Sequence, residues 1–426
     1  MSQINSVSRR EFVAGSVAAV VAGGLHAGAA ERRPPRILLR SSWQTVNIGD
    51  IGHTPGALRL LETHIPQAEV TLWPSNIDRG VEPMLRRSFP KLQIVRGRLN
   101  ERGEPTTDEL KHALEQQDFL LHGSGPSVVA HKDVAAWAKT GKPFGIYGVT
   151  VSAVDDALRE LLSRAAFVFC RDTLSLALLQ RSGVTCPAME FGPDAAFGIH
   201  LRDDEKALPF LAAHGLEERK FICVIPRLRY TPYHKIHPGR YDPKEVQRRE
   251  AVNAQFQDAD MAKLRDVIVA WVRGTGLKAL LCPEMTYQLE LLQPLLLDPL
   301  PDDVKPRVVR RETFWLPDEA GSVYARAHTV VSVEMHSPII AAAHGTPAIH
   351  LRQPTDTCKG QMWRDIGLSE WIFEMDETPG ATIAQTLLAV HADYPAAQAK
   401  LGKAMSFVRQ RQKETMAVVT RAAGSP

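Results

Sequence analysis

Long runs of like charge are missing from this sequence. Its 51 lysines and arginines nearly balance its 48 aspartates and glutamates, which leaves a formal net charge of +3 over 426 residues. The sequence contains no run of five or more consecutive basic residues. Such runs are typical of the arms with which proteins bind nucleic acid. We therefore expect no nucleic-acid partner.

Cysteine is scarce, and its positions form no framework. The five cysteines are odd in number, widely separated and mostly embedded in apolar runs: Cys170, Cys186, Cys223, Cys282 and Cys358. Disulfide scaffolds and structural zinc sites use more regular spacings. We expect core thiols. The histidines are scattered as well, so the sequence offers no metal-ligand constellation, and we expect no metal.

Long hydrophobic runs are also missing, and a short one lies near the N-terminus. Arg9 and Arg10 precede an apolar run over residues 13–25, and small residues follow at 27–30. This order is typical of a twin-arginine export signal. The run is shorter than the roughly 20 residues that span a bilayer. We expect the twin-arginine export machinery of a bacterium as a partner, and a periplasmic or secreted mature protein that does not span the membrane. An uncleaved anchor is the alternative.

Strand-like and helix-like segments alternate along the rest of the chain, which predicts an α/β fold with parallel, doubly wound sheets. We divide the chain into a signal peptide (1–30), a linker (31–36), an N-terminal Rossmann-like domain (37–200), a connector (201–219), a C-terminal Rossmann-like domain (220–392), and a C-terminal helix and tail (393–426). Two such domains in series describe a glycosyltransferase-B-like arrangement. Substrate then lies between the sheets, at the carboxyl ends of the strands.

A glycine-rich turn follows the first predicted strand. We expect a helix over residues 55–63 to follow this turn. Glycines let the backbone approach a ligand, and the helix start offers free N–H groups. Asn47, Asp50 and His53 are therefore candidate substrate contacts. A turn in which a polar side chain merely caps the helix explains the pattern equally well. Gly123 and Ser124, after another first-domain strand, are candidates for the same reason.

An acid and an imidazole follow a predicted strand of the second domain. Glu334 and His336 precede a helix that we expect to begin at Pro338. If the strand continued, alternation would place both side chains on one side, where they can share proton transfer. We take both as catalytic candidates, and a structural histidine is the alternative.

Cations follow other strands of the second domain. Arg227 and Arg229 come directly after its first strand, and Arg352 and Lys359 come after a later one. Fixed donors of this kind bind carboxylates and phosphates, and arginine offers a bidentate fork. Solvated surface charge is the alternative for each of them taken singly.

Together these segments resemble the polysaccharide pyruvyl transferase family over nearly the whole chain that follows the signal. The matching pieces are Asn47-x-Gly49-Asp50, Asp118-Phe119-x-x-His122-Gly123-x-Gly125, Cys170-Arg171-Asp172-x-x-Ser175, Gly192-Pro193-Asp194, His336-Ser337, Gly345-x-Pro347 and Lys359. Each is short, and their order and spacing carry the resemblance.

The resemblance implies a glycosyltransferase-B-like fold and an activity on polysaccharide or oligosaccharide. Pyruvate from phosphoenolpyruvate, a co-substrate and not a bound cofactor, would be placed as a ketal on two sugar hydroxyls. Carried over by position, His336 would be the catalytic or donor-binding histidine. Three further residues match family motifs: Arg171, Asp172 and Asp194. A structural role explains these matches equally well, for example an Arg171–Asp172 ion pair at a helix start.

One position departs from the family pattern. Where the family commonly reads Arg-Leu-His, the first residue here is Glu334, and a carboxylate repels the anion that an arginine would hold. This leaves a second hypothesis open, a hydrolase that removes pyruvate ketals from an exported polysaccharide. A third is a non-catalytic protein that binds acidic glycans, with Tyr230, Tyr233 and Trp315 as sugar platforms or, equally, as packing residues.

Overall fold

The computed structural model describes residues 33–424, so the export signal expected at residues 1–30 lies outside the described residues. Within this range, residues 35–424 form one compact unit. Between residues 33 and 424, no helix combines the length and the apolar character that crossing a membrane requires.

Two parallel sheets form the frame of this unit, and most of their strands are apolar runs buried on both faces, as is typical of parallel sheets. The first sheet contains β1 Arg36–Ser41, β2 Glu69–Pro74, β3 Gln93–Ile94, β4 Phe119–His122, β5 Phe144–Val149, β6 Phe167–Cys170 and β7 Met189–Phe191. The second contains β8 Phe221–Ile225, β9 Lys278–Leu281, β10 Val308–Arg310, β11 Thr329–Ser332, β12 Ala348–Arg352 and β13 Ile372–Glu374.

The strand order is doubly wound in both sheets. It is β3-β2-β1-β4-β5-β6-β7 in the first and β10-β9-β8-β11-β12-β13 in the second. The order reverses between β1 and β4, and again between β8 and β11, where Ile37 pairs with Phe119 and Val331 with Val224. Ligands of such sheets bind beyond the carboxyl ends of the strands at these reversals. The predicted α/β class with parallel, doubly wound sheets is confirmed.

Helices cover both sheets. They are α1 Ile48–His64, α2 Val81–Ser88, α3 Asp108–Gln116, α4 His131–Ala138, α5 Asp156–Ser163, α6 Thr173–Arg181, α7 Asp204–Ala213, α8 Tyr233–Ile236, α9 Pro243–Thr275, α10 Leu289–Leu291, α11 Pro317–Tyr324, α12 His336–Ala343, α13 Gln361–Asp365, α14 Gly380–Ala392 and α15 Tyr394–Ala423. The last helix returns to the first sheet, where the Thr415 hydroxyl lies 3.0 Å from that of Tyr147. This contact ties the C-terminal segment to the N-terminal half of the chain.

The first helix begins at Ile48, not at Pro55 as the sequence predicted. The side chain of Asn47 caps it by accepting a hydrogen bond from the Gly49 N–H at 2.7 Å. The glycines and the proline that indicated a turn lie inside the helix, because its burial on nearly every side outweighs their low helix propensity. Asp50 and His53 are therefore helical residues.

The condition under which Glu334 and His336 would share one side, a strand that continues through Glu334, is not met. Strand β11 ends at Ser332, whose hydroxyl accepts from the Glu334 N–H at 3.0 Å and closes a tight turn. Helix α12 then begins at His336, not at Pro338. Strand alternation therefore does not set the relation between Glu334 and His336.

Candidate active site between the two sheets

Loops from the carboxyl ends of both sheets meet through their backbones. The Ile48 N–H donates to the Glu284 carbonyl at 2.9 Å, and the Thr286 N–H donates to the Val46 carbonyl at 3.0 Å. The first loop follows β1 and the second follows β9. This pairing brings the start of α1 against the second sheet and so assembles the candidate site.

A buried cluster of two histidines and one aspartate lies at this junction. His53 and His336 face each other through their Nε2 atoms at 3.0 Å. The Oδ2 atom of Asp194 lies 3.3 Å from the first of these nitrogens and 3.8 Å from the second. The three residues come from α1, from the loop after β7 and from the start of α12, so both sheets contribute to the cluster.

Arg171 forms an ion pair with the aspartate of this cluster. Its Nη1 atom lies 2.6 Å from Asp194 Oδ2, and both side chains are buried. The ion pair that the sequence suggested between Arg171 and Asp172 does not form, because Asp172 instead caps α6 through the Ser175 N–H at 2.7 Å. Burial raises the pKa of Asp194, but His53, His336 and Arg171 outweigh it and lower that pKa well below its ordinary value.

The same three residues could hold a divalent cation, since one ligand atom of each lies within 4.8 Å of the others. Arg171, however, disfavours a metal ion at this place and favours a proton. Arg171 already donates to the aspartate oxygen that would bind the ion, and its fixed positive charge opposes a second cation. We therefore treat His53, Asp194 and His336 as a proton-binding cluster.

Glu284 approaches His336 from the second sheet. Its Oε1 atom lies 3.6 Å from His336 Nδ1, and its Oε2 atom accepts from the Ser337 N–H at 2.6 Å and the Ser337 hydroxyl at 2.8 Å. Burial lowers the pKa of His336, but Asp194 and Glu284 outweigh burial and raise it to about 9. The imidazole is therefore protonated at neutral pH.

Gly49 has no side chain, and the His336 ring occupies the space where a Cβ atom would lie. A Cβ atom at this position would come within 2.3 Å of the ring. No real Cβ contact is that short, so any larger residue would displace the ring. The glycine that the sequence indicated as a ligand-approach position instead admits a side chain from the second sheet.

A second charged cluster surrounds Glu334. Arg227 Nε lies 3.3 Å from Glu334 Oε1, and Lys359 Nζ lies 3.7 Å from Glu334 Oε2. Asp356 pairs with the same two cations. Gln288 donates to Glu334 Oε1 at 3.0 Å. Two of the four cations that we predicted as substrate contacts, Arg227 and Lys359, thus come together, and two carboxylates of the chain neutralise them.

Glu334 and Asp356 differ in protonation despite sharing these cations. Burial raises the pKa of Glu334 to about 6, and Arg227 and Lys359 only partly offset this. Burial also raises the pKa of Asp356, but the same cations outweigh it and lower that pKa to about 2. At neutral pH Glu334 is therefore ionised, while His336 is protonated.

Two of the predicted cationic contacts are engaged elsewhere. Arg229 forms a bidentate pair with Asp260 at 2.9 Å and also contacts Asp376. Arg352 donates to both oxygens of Glu374 at 3.1 Å. These arginines fix the loop after β8 and the end of β12, and the structure does not bring their guanidinium groups into the Glu334 cluster.

The other first-domain candidates separate into two groups. Asn47 and Asp50 lie at the start of α1, and Gln44 donates a hydrogen bond to Asp50. Ser124 is buried, where its hydroxyl donates to the Tyr147 carbonyl at 3.1 Å and accepts from the Ala195 N–H at 2.9 Å. Gly123 donates its N–H to the Arg40 carbonyl at 2.9 Å. The last two residues therefore support the β4 end internally.

An open cavity lies next to the Glu334 cluster. Its volume is about 430 Å³, and it is bounded by the loop after β8, by α9 and by the segment around Tyr287 and Glu290. Leu228, which follows Arg227 in the chain, and Tyr287 both line this cavity, and the Tyr287 hydroxyl accepts from the Leu228 N–H at 3.2 Å. Trp315, considered as a sugar platform, is buried and donates to the Pro283 carbonyl at 2.9 Å.

Reasoning from the sequence missed Glu284, Gln288 and Asp356. The first two lie in the loop after β9, where no short motif marks them, and their partners are 53 and 46 positions away. Asp356 stands between Arg352 and Lys359 in the sequence, and the cluster of opposite charges was the available signal. It is the structure that pairs these carboxylates with the predicted site residues.

Comparison with known proteins gives one family and one fold. A family model described as polysaccharide pyruvyl transferase matches residues 47–353. A putative UDP-N-acetylglucosamine 2-epimerase from Listeria monocytogenes is 13% identical, with a TM-score of 0.59 over 91% of this chain and 96% of that one. UGT71G1 of Medicago truncatula in complex with UDP-glucose is 9% identical, with a TM-score of 0.54 over 93% of this chain and 99% of that one. The Neisseria meningitidis UDP-GlcNAc 2-epimerase bound to UDP-GlcNAc is 11% identical, with a TM-score of 0.55 over 91% of this chain and 100% of that one. These structures confirm the glycosyltransferase-B-like arrangement of two Rossmann-like sheets.

Proposed function

Since the chain belongs to the polysaccharide pyruvyl transferase family, we propose that it transfers the pyruvyl group of phosphoenolpyruvate to two hydroxyls of a glycan as a ketal. The observation that carries this proposal is the place of His336. The ring lies where loops of both sheets meet, between Asp194 of the first and Glu284 of the second. A protonated imidazole there is suited to general acid catalysis in a cleft between the sheets.

The chemistry assigns separate roles to the two charged clusters. His336 donates a proton to the enol carbon of the donor, which becomes a methyl group and leaves an oxocarbenium-like centre. Two sugar hydroxyls attack that centre in turn, and inorganic phosphate leaves. Glu334 accepts one hydroxyl proton, and the second leaves with the phosphate. Arg227 and Lys359 hold the carboxylate and the phosphate, and the adjacent cavity of about 430 Å³ receives the glycan.

A second candidate is hydrolysis of a pyruvate ketal, and the environment of Glu334 favours it. Two carboxylates offset the two cations of this cluster, so a highly charged phosphoenolpyruvate meets little net positive charge. A pyruvate ketal carries a single carboxylate and no phosphate. In this direction His336 protonates a sugar oxygen, Glu334 activates water, and free pyruvate and the diol result.

We further propose that the protein acts outside the cytoplasm. This rests on the twin-arginine pattern of residues 1–30. An exported enzyme would meet a periplasmic or extracellular polysaccharide. Phosphoenolpyruvate is an expected metabolite of the cytoplasm, so this location adds weight to the hydrolytic candidate.

Two incubations separate the candidates. The first contains the protein, phosphoenolpyruvate and an unmodified glycan, and phosphate is measured. The second contains a pyruvylated glycan, and free pyruvate is measured. We expect phosphate in the first, in an amount equal to the ketal formed. Pyruvate in the second without phosphate in the first would replace transfer by hydrolysis, and silence in both would leave the non-catalytic glycan-binding hypothesis. His336→Ala is the inactive control for either activity.

A further inference from the structure

Glu284 joins both sheets and both candidate catalytic clusters. Its backbone carbonyl accepts from Ile48 at the start of α1, and its carboxylate accepts from Ser337 at the start of α12. Its N–H donates at 2.7 Å to the side chain of Gln288, which in turn donates to Glu334. One short segment after β9 thus contacts the helix that carries His336 and the side chain of Glu334.

The carboxylate of Glu284 is only half satisfied. Its Oε2 atom accepts two hydrogen bonds from Ser337, whereas its Oε1 atom is buried and has no hydrogen-bond partner among the described residues. The nearest donor group to Oε1 in the salt-bridge geometry is His336 Nδ1, at 3.6 Å. A buried anionic oxygen without a hydrogen bond is costly, and a proton on Nδ1 is the group positioned to offset that cost.

We propose that Glu284 is a positioning residue for His336, whose carboxylate keeps a proton on Nδ1 and so leaves Nε2 as the atom that gains and loses the mobile proton. This rests on the proposed role of His336 as a proton donor. The arrangement matches the general use of a carboxylate to fix the tautomer and the orientation of an imidazole. The mobile proton is then on the side of His53 and Asp194, where the two sheets meet.

Other charged groups lie around the His336 ring and must be kept constant in any test. His53 and Asp194 lie close to Nε2 of the ring. Asp50 and Arg171 pair with these two residues in turn, and Glu334 pairs with Lys359 in the neighbouring cluster. Among the described residues, Glu284 is the charged group that lies near Nδ1, at 3.6 Å. Its removal is therefore expected to change both the tautomer and the proton affinity of the ring.

The test is an NMR titration of the His336 imidazole in the full chain labelled with ¹³C and ¹⁵N histidine, with His336→Gln used to assign its signals. Glu284→Gln keeps the size of the side chain and an oxygen for Ser337, but it removes the negative charge. We expect the pKa of His336 to fall by about one unit or more in this variant. We also expect the proton of the neutral ring in the unsubstituted protein to be on Nδ1. Ser337→Ala is the matched control, because it removes one hydrogen bond to Glu284 and retains its charge. We expect the pKa of His336 in this control to stay within about 0.3 unit of its value in the unsubstituted protein.

Three results would overturn the proposal. The first is an equal titration in the Glu284→Gln and the unsubstituted protein, and the second is a neutral ring with its proton on Nε2. The third is a ring that titrates only after treatment with a chelator, since that would indicate a metal ion at His53, Asp194 and His336. None of these measurements uses a substrate. A failure of the proposed function, seen as no activity on either glycan, is therefore distinguishable from a failure of this inference.

Discussion

His53 and His336 meet through their Nε2 atoms at 3.0 Å although 283 positions separate them in the chain. One ring belongs to the first helix of the first sheet, and the other begins a helix of the second. One nitrogen of such a pair must donate and the other accept. Because the pKa of His336 is raised to about 9, His336 is the donor at neutral pH. The contact therefore couples the arrangement of the two sheets to the protonation of the proposed acid.

The pH dependence of catalysis should be bell-shaped. The proposed mechanism requires ionised Glu334 and protonated His336, whose pKa values are raised to about 6 and about 9. We expect kcat/KM to rise through pH 6 and to fall through pH 9, with both limbs belonging to the coupled site. Measurement of initial rates between pH 4.5 and 10 checks this. A rate that keeps rising above pH 9 would show that a deprotonated His336 is the active form.

Replacement of Glu334 by Gln should separate binding from catalysis. The variant keeps the size of the side chain but frees Arg227 and Lys359 from one carboxylate. We expect phosphoenolpyruvate to bind on the order of tenfold more tightly, a change of about 1.4 kcal/mol. We expect kcat to fall by about 10²-fold to 10⁴-fold, since the base is lost. Calorimetric binding and steady-state kinetics measure the two effects. Weaker binding of phosphoenolpyruvate would contradict the charge argument.

Gly49→Ala should disturb the site through the His336 ring. The added Cβ atom would come within 2.3 Å of the imidazole, and strain of this kind costs about 1–3 kcal/mol of stability. We expect activity to fall at least tenfold, and the denaturation midpoint to fall as well. Gly402→Ala is the matched control in α15, because its Cβ atom would contact nothing within 4 Å. It should stabilise the protein by about 0.5–1 kcal/mol. A fully active Gly49→Ala protein would place the ring elsewhere in solution.

Asp194→Asn should destabilise the protein by about 3–5 kcal/mol at neutral pH, because buried Arg171 loses its counter-ion. The pKa of Asp194 is lowered on folding. The stability it contributes is therefore present above the ordinary carboxyl pKa and is lost as the pH falls through the lowered value. Urea unfolding at pH 7 and at pH 3 should show the two proteins converging in acid. Glu217→Ala, in an exposed pair with Lys220, should leave the midpoint unchanged. A gap between wild type and Asp194→Asn that widens in acid would contradict this assignment.

Local patterns were sufficient to predict the two sheets. Apolar runs such as Phe221–Ile225 are continuous because parallel strands are buried on both faces, and the helices between them have their own periodicity. The start of helix α1 could not be predicted from local patterns. Pro55 and the glycines before it indicate a turn locally, whereas burial against both sheets decides for a helix.

Some residues of the candidate site could be predicted from the sequence, whereas their contacts could not. His336, Glu334, Arg227 and Lys359 follow strand ends, and that position is visible in the sequence. Their partners are distant, and pairing depends on how two sheets meet. Arg229 illustrates the difference, since its sequence position resembles that of Arg227, yet it is held by Asp260. Only tertiary structure distinguishes a guanidinium in the site from one that fixes a loop.

In the proposed transfer, the enol carbon of phosphoenolpyruvate takes a proton and becomes the methyl group of a glycan ketal. The most direct measurement is mass spectrometry of the glycan after incubation with phosphoenolpyruvate in D₂O. We predict a ketal whose methyl group carries one deuterium, formed together with an equal amount of phosphate and absent with His336→Ala. Release of unlabelled pyruvate from a pyruvylated glycan, with no deuterated ketal from phosphoenolpyruvate, would contradict transfer and establish hydrolysis in its place.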